Sequence, residues 1–576
     1  MVNLTLEQAW VEVNRLLVAG DVNGAADLGL AMLVAEPKHP AVLYLLSVVR
    51  FRQEQWDEAV GFAAAALQAS PMESSRYHNL CLALREIGDL DQAVTIAEAG
   101  LAVHPAEPDL VVLRLFLLLE AGRSDEVIPL ATAAVINNDT APLALAALGL
   151  VQGERGDHSM AMRYFIEGAQ RPVRDRADHL VERAAHAIGH GNISYADLTY
   201  RAVLAVLPDH RRARNGQSHI ASLIAGTVAP QRPGGYVLCK AMGWGFWSDM
   251  LHVFGAFLLA ELTGRTPLVH WGARCLYGNA GSDDAGNNRF EQFFLPTAPV
   301  DLGTLAGLDC FPPYWDGRLG EEITDIFSGP RPAIGELNLL TSRASVLVVD
   351  KCCTVHNLMP WIGPEHPLQG RSEPELYRVL AEKYLRLVPE LAAEIDAFID
   401  RHMGGEPFCA LHLRNEKKQH ELPFIRLLNR NYIPLIERLS SLPDFPQRLF
   451  VMTDSKPLAD TMAARFPDRV VTYPVERSSN DRELYYDATL DRRMLGRDVV
   501  RDVFTALRAD WFIGNGATSV SCAIDLLKAW PEDRSRLLYP NRLIHFWDAN
   551  PYAFGRNDKL YRSVPPFGWS HLFEMR

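Results

Sequence analysis

The sequence predicts a helical repeat array followed by an α/β region of two Rossmann-like halves, and three observations carry that prediction. Turn glycines and small residues recur at a 34-residue interval up to about residue 215. The recurrence stops at Ala-Pro-Gln-Arg-Pro-Gly-Gly, residues 229–235, after which short apolar runs alternate with amphipathic ones. Within that second region, residues 408–424 pass abruptly from an apolar run into dense charge.

The array comes first in the chain. Gly20, Gly88, Gly122 and Gly156 share one phase, and Glu54 fills the slot left between the first two. Ala25, Ala59, Ala93, Val127 and Ala161 keep the same interval, as do Pro37, Pro71 and Pro105, and also Ala66, Gly100, Ala134 and Gly168. Paired helices of the tetratricopeptide type require this pattern, with small residues where two helices cross and proline where the second one stops. Five units are expected, and a sixth that drifts out of phase over 175–208. A generic helical bundle does not explain a fixed period. Solenoids of this kind offer a concave surface, which makes the array a binding arm rather than a catalytic one.

Beyond the linker, strands are expected at 236–239, 267–271, 344–350, 408–412, 449–453, 470–473 and 511–514. Helices are expected at 249–263, 375–402, 432–439, 457–466, 496–506 and 519–530. The alternation breaks near 400–405, which divides the region into two halves facing a cleft. The expected organisation is therefore repeats over 1–215, a linker over 216–235, a first Rossmann-like half over 236–403 and a second over 404–576.

Composition narrows the function. Apolar content of 48% and aromatic content of 9% are ample for several cores. A net charge of −13 argues against a general binder of nucleic acid or anionic membrane, so any phosphate ligand needs a local basic site. The longest apolar run, 250–262, is too short to span a bilayer, and the N-terminus lacks the pattern of a signal peptide. Eight cysteines lie scattered without metal-ligand spacing, and the Cys352-Cys353 pair reads as packing. A reducing cytoplasm is the expected setting.

Chemistry gathers in four clusters. The 408–412 run ends in His412, Leu413, Arg414, Asn415, Glu416 and a pair of lysines. Ligands of open α/β sheets bind outside the carboxyl ends of strands, and an arginine placed there needs an anion to face. Charged loops are usually just solvated, and a strand histidine is often a satisfied core residue. Here the alternation of His412 and Arg414 with apolar neighbours favours a site. Asp454 follows the next strand, where it can accept from a base or ribose or cap the helix behind it. Gly514, Asn515, Gly516, Ala517, Thr518 and Ser519 join a strand to a helix, the setting in which amides cradle a phosphate, although glycine serves tight turns equally well. Gly243 and Gly245 flank a tryptophan after the first strand of the other half, where packing is the competing explanation.

In order and spacing these clusters resemble the α1,6-fucosyltransferase and protein O-fucosyltransferase superfamily, including the nodulation fucosyltransferases. The resemblance covers 236 to about 545. It runs through Gly243-Trp-Gly245, Leu251-His252, Gly264-Arg-Thr-Pro-Leu268, 383–390 and Glu394-Ile-Asp396 to the core motif, His-x-Arg-Arg-x-Asp-Lys in the family and His412-Leu-Arg-Asn-Glu-Lys-Lys418 here. Thr453-Asp454 matches a second motif, and Asp502 with 509–520 a third. The family's second arginine is replaced by Asn415, and an acidic position by Lys417. The resemblance implies a GT-B fold, an inverting reaction without metal or cofactor, and a GDP-sugar donor, usually GDP-fucose. It places a candidate base near Glu421, nucleotide reading at Asp454, and a hold on guanine or the site loop at Asp502.

The residues give the same chemistry in outline. Glycosyl transfer builds negative charge on the leaving diphosphate, so donors already aimed at it stabilise the transition state most. Arg414 is planar and always charged, and suits a bidentate grip. His412 is expected to hold the nucleotide or a phosphate oxygen, Lys418 to add charge, and Ser519 with the amides of 514–518 to meet the diphosphate. The expectation is a cytoplasmic glycosyltransferase whose repeats select a protein acceptor, with self-association of the array as the competing role. Two alternatives stand beside it. One is a protein O-GlcNAc-type transferase using UDP-GlcNAc, and the other is a repeat adaptor whose enzyme domain has lost turnover.

Overall fold

The computed structural model describes residues 6–540 apart from 138–139, 176, 190, 192, 278–287, 324–334, 351–352, 417–421, 423, 481–483 and 488. The chain divides into two compact units. The first holds helices α1 (Leu6–Ala19), α2 (Val22–Ala35), α3 (Pro40–Arg52), α4 (Trp56–Ala69), α5 (Ser74–Glu86), α6 (Leu90–Val103), α7 (Pro108–Glu120), α8 (Ser124–Ala134), α9 (Ala141–Glu154) and most of α10 (His158–Asp175). It also includes the described residues of Gln419–Leu428.

The second helix of each pair begins at 22, 56, 90, 124 and 158, so the sequence period is the structural one. The recurring Gly-Asp has a direct cause. Gly20, Gly88 and Gly156 sit at φ of 81°, 82° and 76°, and the following Asp21, Asp89 and Asp157 accept from the amides of Gly24, Gln92 and Met160 at 2.9–3.1 Å. Glycine thus stops one helix in the left-handed region and aspartate caps the next. Glu54 occupies the same slot at φ 59°, where an L side chain is strained. Glu54→Gly is expected to raise stability by about 0.5–1 kcal/mol, read as a higher urea midpoint with unchanged m. Where helices cross, Ala25, Ala59, Ala93, Val127 and Ala161 are buried, and a Cβ on Gly100 would come within 2.9 Å of Tyr77.

Helices α5, α7 and α9 depart from expectation. They are buried on nearly every side, polar residues included. His78 and Asn79 are enclosed, and Arg85 grips Glu120 of the next pair through several contacts of 2.6–2.9 Å between two buried side chains.

In the second unit, α11 (Ala177–Gly189), α12 (Ile193–Val206) and α13 (Arg211–Ala225) share a hydrophobic cluster against which Leu337 and Trp361 pack. Then follow β1 (Tyr236–Lys240), α14 (Phe246–Thr263), β2 (Thr266–His270), β3 (Cys310–Phe311), α15 (Glu336–Thr341), β4 (Val346–Val349), α16 (Val355–Leu358), α17 (Glu373–Tyr384) and α18 (Pro389–Met403). The other half comprises β5 (Phe408–His412), α19 (Ile425–Arg430), α20 (Tyr432–Leu439), β6 (Arg448–Met452), α21 (Lys456–Arg465), β7 (Val470–Val471), α22 (Arg492–Ala506), β8 (Trp511–Gly514), α23 (Ser519–Leu527) and β9 (Ser535–Leu537).

Both sheets are parallel throughout, ordered β2-β1-β4-β3 and β7-β6-β5-β8-β9. Two Rossmann-like halves were expected, and two are found. The single helical stretch foreseen at 375–402 is two helices, because Pro389 can open a helix but not continue one. Gly404, left-handed at φ 59°, ends α18 and separates the halves. In the second sheet the connections from β5 run to β6 and β7 on one side, while β8 and β9 lie on the other. The strand order therefore reverses between β5 and β8, and the carboxyl ends of those strands are where an open α/β sheet receives a ligand.

Candidate nucleotide-sugar site

His412 closes β5 and is buried. Its Nδ1 lies 2.7 Å from Ser521 Oγ and 3.4 Å from Thr518 Oγ1, both on the far side of the switch point. Ser521 Oγ also accepts from the Asn515 amide at 2.9 Å. The histidine thus ties the end of β5 to the loop that leads into α23. The structure places it as the fastener of that loop, with its ring already hydrogen-bonded.

Arg414 stands two residues beyond, half-buried, with its backbone carbonyl accepting from Asn429 Nδ2 at 2.7 Å. Its guanidinium and the Asp454 carboxylate both act on the Tyr277 phenol, whose pKa burial pushes up to about 12 while Arg414 pulls it back and Asp454 adds to the rise. Arg414 follows β5 and Asp454 follows β6, so the two come from adjacent strands. Asp454 does not cap the next helix. Ser455 does, accepting from the Leu458 amide at 3.3 Å, so the side chain of Asp454 is not spent on capping. Asn415 is wholly buried.

The 514–519 loop is tighter than foreseen. The Ala517 amide donates to Asn515 Oδ1 (2.8 Å), the Thr518 amide to the Asn515 carbonyl (3.2 Å), and Thr518 Oγ1 caps α23 through the Ser521 amide (3.2 Å). The N–H groups of Asn515, Ala517 and Thr518 are engaged inside the turn. The Ser519 and Val520 amides stand in the first turn of α23, ahead of its intrahelical ladder. Gly516 has a separate reason to be glycine, since a Cβ would lie 2.0 Å from the Tyr539 carbonyl oxygen.

Across the cleft, Gly243 turns at φ 81°, and the amides of Gly243 and Trp244 donate to Asp249 at 3.3 and 3.4 Å. Asp249 is buried, which raises its pKa to about 7 against the pull of those amides. Gly245 precedes α14, and Ser248 in its first turn lies 2.9 Å from Ser519, Oγ to Oγ. The Gly-Trp-Gly turn thus borders the α23 terminus, although its amides serve Asp249. His252 is a satisfied core residue, its Nδ1 accepting from the Cys353 amide while burial lowers its pKa to about 4. At the carboxyl edge of the first sheet, Lys240 is buried and donates to the Glu321 carbonyl at 2.8 Å, beside Trp315, whose Nε1 donates to Asp350 at 2.7 Å.

Asp502 stands in a charged group on α22 with Asp498 and Arg501, and with Arg477 after β7. Part of the residue is accessible, yet its carboxyl is enclosed. Burial raises its pKa to about 7, Asp498 adds to the rise, and the two arginines oppose it. Lys417, Lys418 and Glu421 lie outside the described residues. Sequence reasoning missed Ser521, Asn429, Tyr277, Ser248 and Asp249. Ser521 and Ser248 lay beside motifs already singled out, whereas nothing local marks Asn429 or Tyr277. Among the described residues there is no group of three or more potential metal ligands, and no helix long and apolar enough to cross a membrane.

Paired-helix repeats in front of a paired parallel-sheet α/β unit, with hydrogen-bonded polar residues at a switch point of the strand order, define a tetratricopeptide-type protein with an α/β domain. No family model matches the chain. It is 23% identical over 255 residues to nodulation protein Z of Bradyrhizobium diazoefficiens, a match covering 39% of this chain and 61% of that protein. The chain thus spans about three fifths of the relative's length. Among solved structures, it aligns with NodZ alpha-1,6-fucosyltransferase soaked with GDP-fucose at 20% identity and a TM-score of 0.35, over 51% of this chain and 92% of that one. It aligns with POFUT1 in complex with GDP at 15% identity and a TM-score of 0.32, over 54% and 99%.

Proposed function

We propose that the chain is an inverting glycosyltransferase that takes its sugar from GDP-fucose and passes it to a hydroxyl of a protein acceptor. The observation that carries this is the fastening of β5 to the α23 loop through His412, Ser521 and Thr518, with Arg414 at the same strand end. In this arrangement the α23 N-terminus and the Arg414 guanidinium offer fixed positive charge to a diphosphate as it leaves, which is where the reaction builds negative charge. Asp454 beside them reads the nucleotide, and Asp502 braces the loop near Arg477. The protein acceptor is supported by the repeat array, a fold used for recognition.

The resemblance of the motifs to fucosyltransferases, whose usual donor is GDP-fucose, favours guanine over uracil. Calorimetric titration is expected to show GDP binding more tightly than UDP, with the same affinity and the same turnover in EDTA. Preference for UDP moves the reading to an O-GlcNAc-type transferase, and loss of activity in EDTA overturns the metal-free mechanism. One observation favours a second reading, a repeat adaptor without turnover: Asn415 is neutral and buried where the resembling family has its second arginine. Sugar transfer or donor hydrolysis by the pure protein decides between the two.

A further inference from the structure

The turn after β1 is built to hold an anion, and the anion it holds belongs to the chain itself. The Gly243 and Trp244 amides donate to the two carboxylate oxygens of Asp249 at 3.3 and 3.4 Å, and the Met242 amide bonds to the same group. Three successive N–H groups turned to one side, with Gly243 left-handed at φ 81°, form the concave arrangement that binds anions. Asp249 is 3% exposed and stands in the first turn of α14, where helix amides favour negative charge. Arg274 secures the same turn, its Nε donating to the Met242 carbonyl at 2.8 Å. A Cβ on Gly243 would lie 3.0 Å from Arg274 Cγ, so the arginine packs closely on the turn. Next to Asp249 in the chain, Ser248 places its Oγ 2.9 Å from Ser519 Oγ, at the start of α23. All of these residues lie in the second unit.

We infer that Asp249 is a positioning residue of the donor site, fixing the Met242–Gly245 turn at the head of α14 and so setting the Ser248 hydroxyl against Ser519. The inference rests on the reading of the α23 N-terminus as the diphosphate site. It adds a contact from the other half, since a phosphate oxygen that meets Ser519 also meets Ser248. The Gly243 and Trp244 amides stay with Asp249. Ionisation matters to this arrangement, because a neutral carboxyl turns one O–H toward amides that need an acceptor. Burial pushes the Asp249 pKa up to about 7, against the amides and Arg274, so the turn loses its anion as pH falls through that value. The titratable groups around it keep one charge state there. Burial holds Cys239 on β1 and Cys275 after β2 as thiols, and it keeps His252, one turn along α14, neutral with a pKa of about 4. Because burial raises the Asp249 pKa, the neutral form favours the fold, and that contribution is lost as pH rises through about 7. Stability and the hold on the donor therefore move in opposite directions when the charge is removed.

The test uses the full chain and compares affinity for GDP with affinity for guanosine, which lacks the diphosphate. At pH 8, Asp249→Asn is expected to lower the GDP-to-guanosine ratio about tenfold, as bonds to a charged acceptor are lost. Its melting temperature should stay the same or rise. Ser248→Ala should lower the ratio about threefold, and the double variant should be no worse than Asp249→Asn alone. Between pH 8 and pH 6 the wild-type ratio should fall through a midpoint near 7 that Asp249→Asn lacks. The phosphate of GDP and the Asp502 carboxyl titrate in the same range, and both are common to the two proteins compared. An unchanged ratio and pH profile in Asp249→Asn overturn the inference. An equal loss of GDP and guanosine with a lowered melting temperature also overturns it and leaves Asp249 a packing feature. A loss in Asp249→Asn without one in Ser248→Ala overturns the route through Ser248. If Ser519→Ala lowers the ratio while Asp249→Asn and Ser248→Ala do not, the donor reading survives and this inference alone fails. A wild-type chain that binds GDP no better than guanosine overturns the donor reading, and this inference with it.

Discussion

Arg414→Ala is expected to lower sugar transfer on the order of 10²–10³-fold, the usual consequence of removing one preorganised donor from a developing negative charge. The reason lies in the position of the side chain. It leaves the carboxyl end of β5 at the point where the strand order reverses, its backbone is fixed by Asn429, and Asp454 follows the adjacent strand. Because the residue is half-buried, its charge is only partly screened, and water does not replace it at equal strength when it is removed. Arg414→Lys keeps the charge but loses the planar fork, so its loss should be smaller yet still large. The measurement is kcat and KM for donor hydrolysis or transfer, with the thermal midpoint as the check on folding. Near-normal kcat in a folded Arg414→Ala protein would remove Arg414 from the site.

Much of this was legible in the sequence for reasons that are local. The Gly-Asp pairs of the repeats are a helix stop followed by a cap, and each needs only neighbouring residues to do its work. The strands at 236, 408, 449 and 511 are buried apolar runs bounded by turn residues, and the runs were enough to find them. The two-residue β3 and three-residue β9 were not found, because so short a strand exists only by pairing with one already in place. In the site, His412 and Arg414 stood out as polar residues at the end of an apolar strand. Asn429 did not, since its importance comes from a carbonyl fifteen residues earlier in the chain. The internal bonding of the 514–518 loop went unforeseen for a similar reason. Asn515 and Thr518 turn their side chains back onto their own loop, which spacing alone does not reveal.

A chain beginning at Gly234 is expected not to fold to a stable, active enzyme, which runs against the idea of the repeats as a detachable reader of acceptors. Two separate losses lead to that result. The first is the removal of α11, α12 and α13, whose cluster receives Leu337 and Trp361 within the second unit. Returning each such side chain to water forfeits up to about 1.5–3 kcal/mol, against a total stability of about 5–15 kcal/mol. The second is the loss of Phe116 and Phe165, the partners of Phe424. A chain beginning at Val173, where the second unit starts, separates the two losses. It keeps the α11–α13 cluster and loses only the partners of Phe424, so it should fold and melt cooperatively. Thermal melting, nucleotide titration and donor hydrolysis on the full chain and both shortened chains give the answer. If the chain from Gly234 melts cooperatively, hydrolyses donor at the full-length rate and loses only transfer to protein, the repeats are a separable acceptor reader, and the second unit needs neither α11–α13 nor the partners of Phe424.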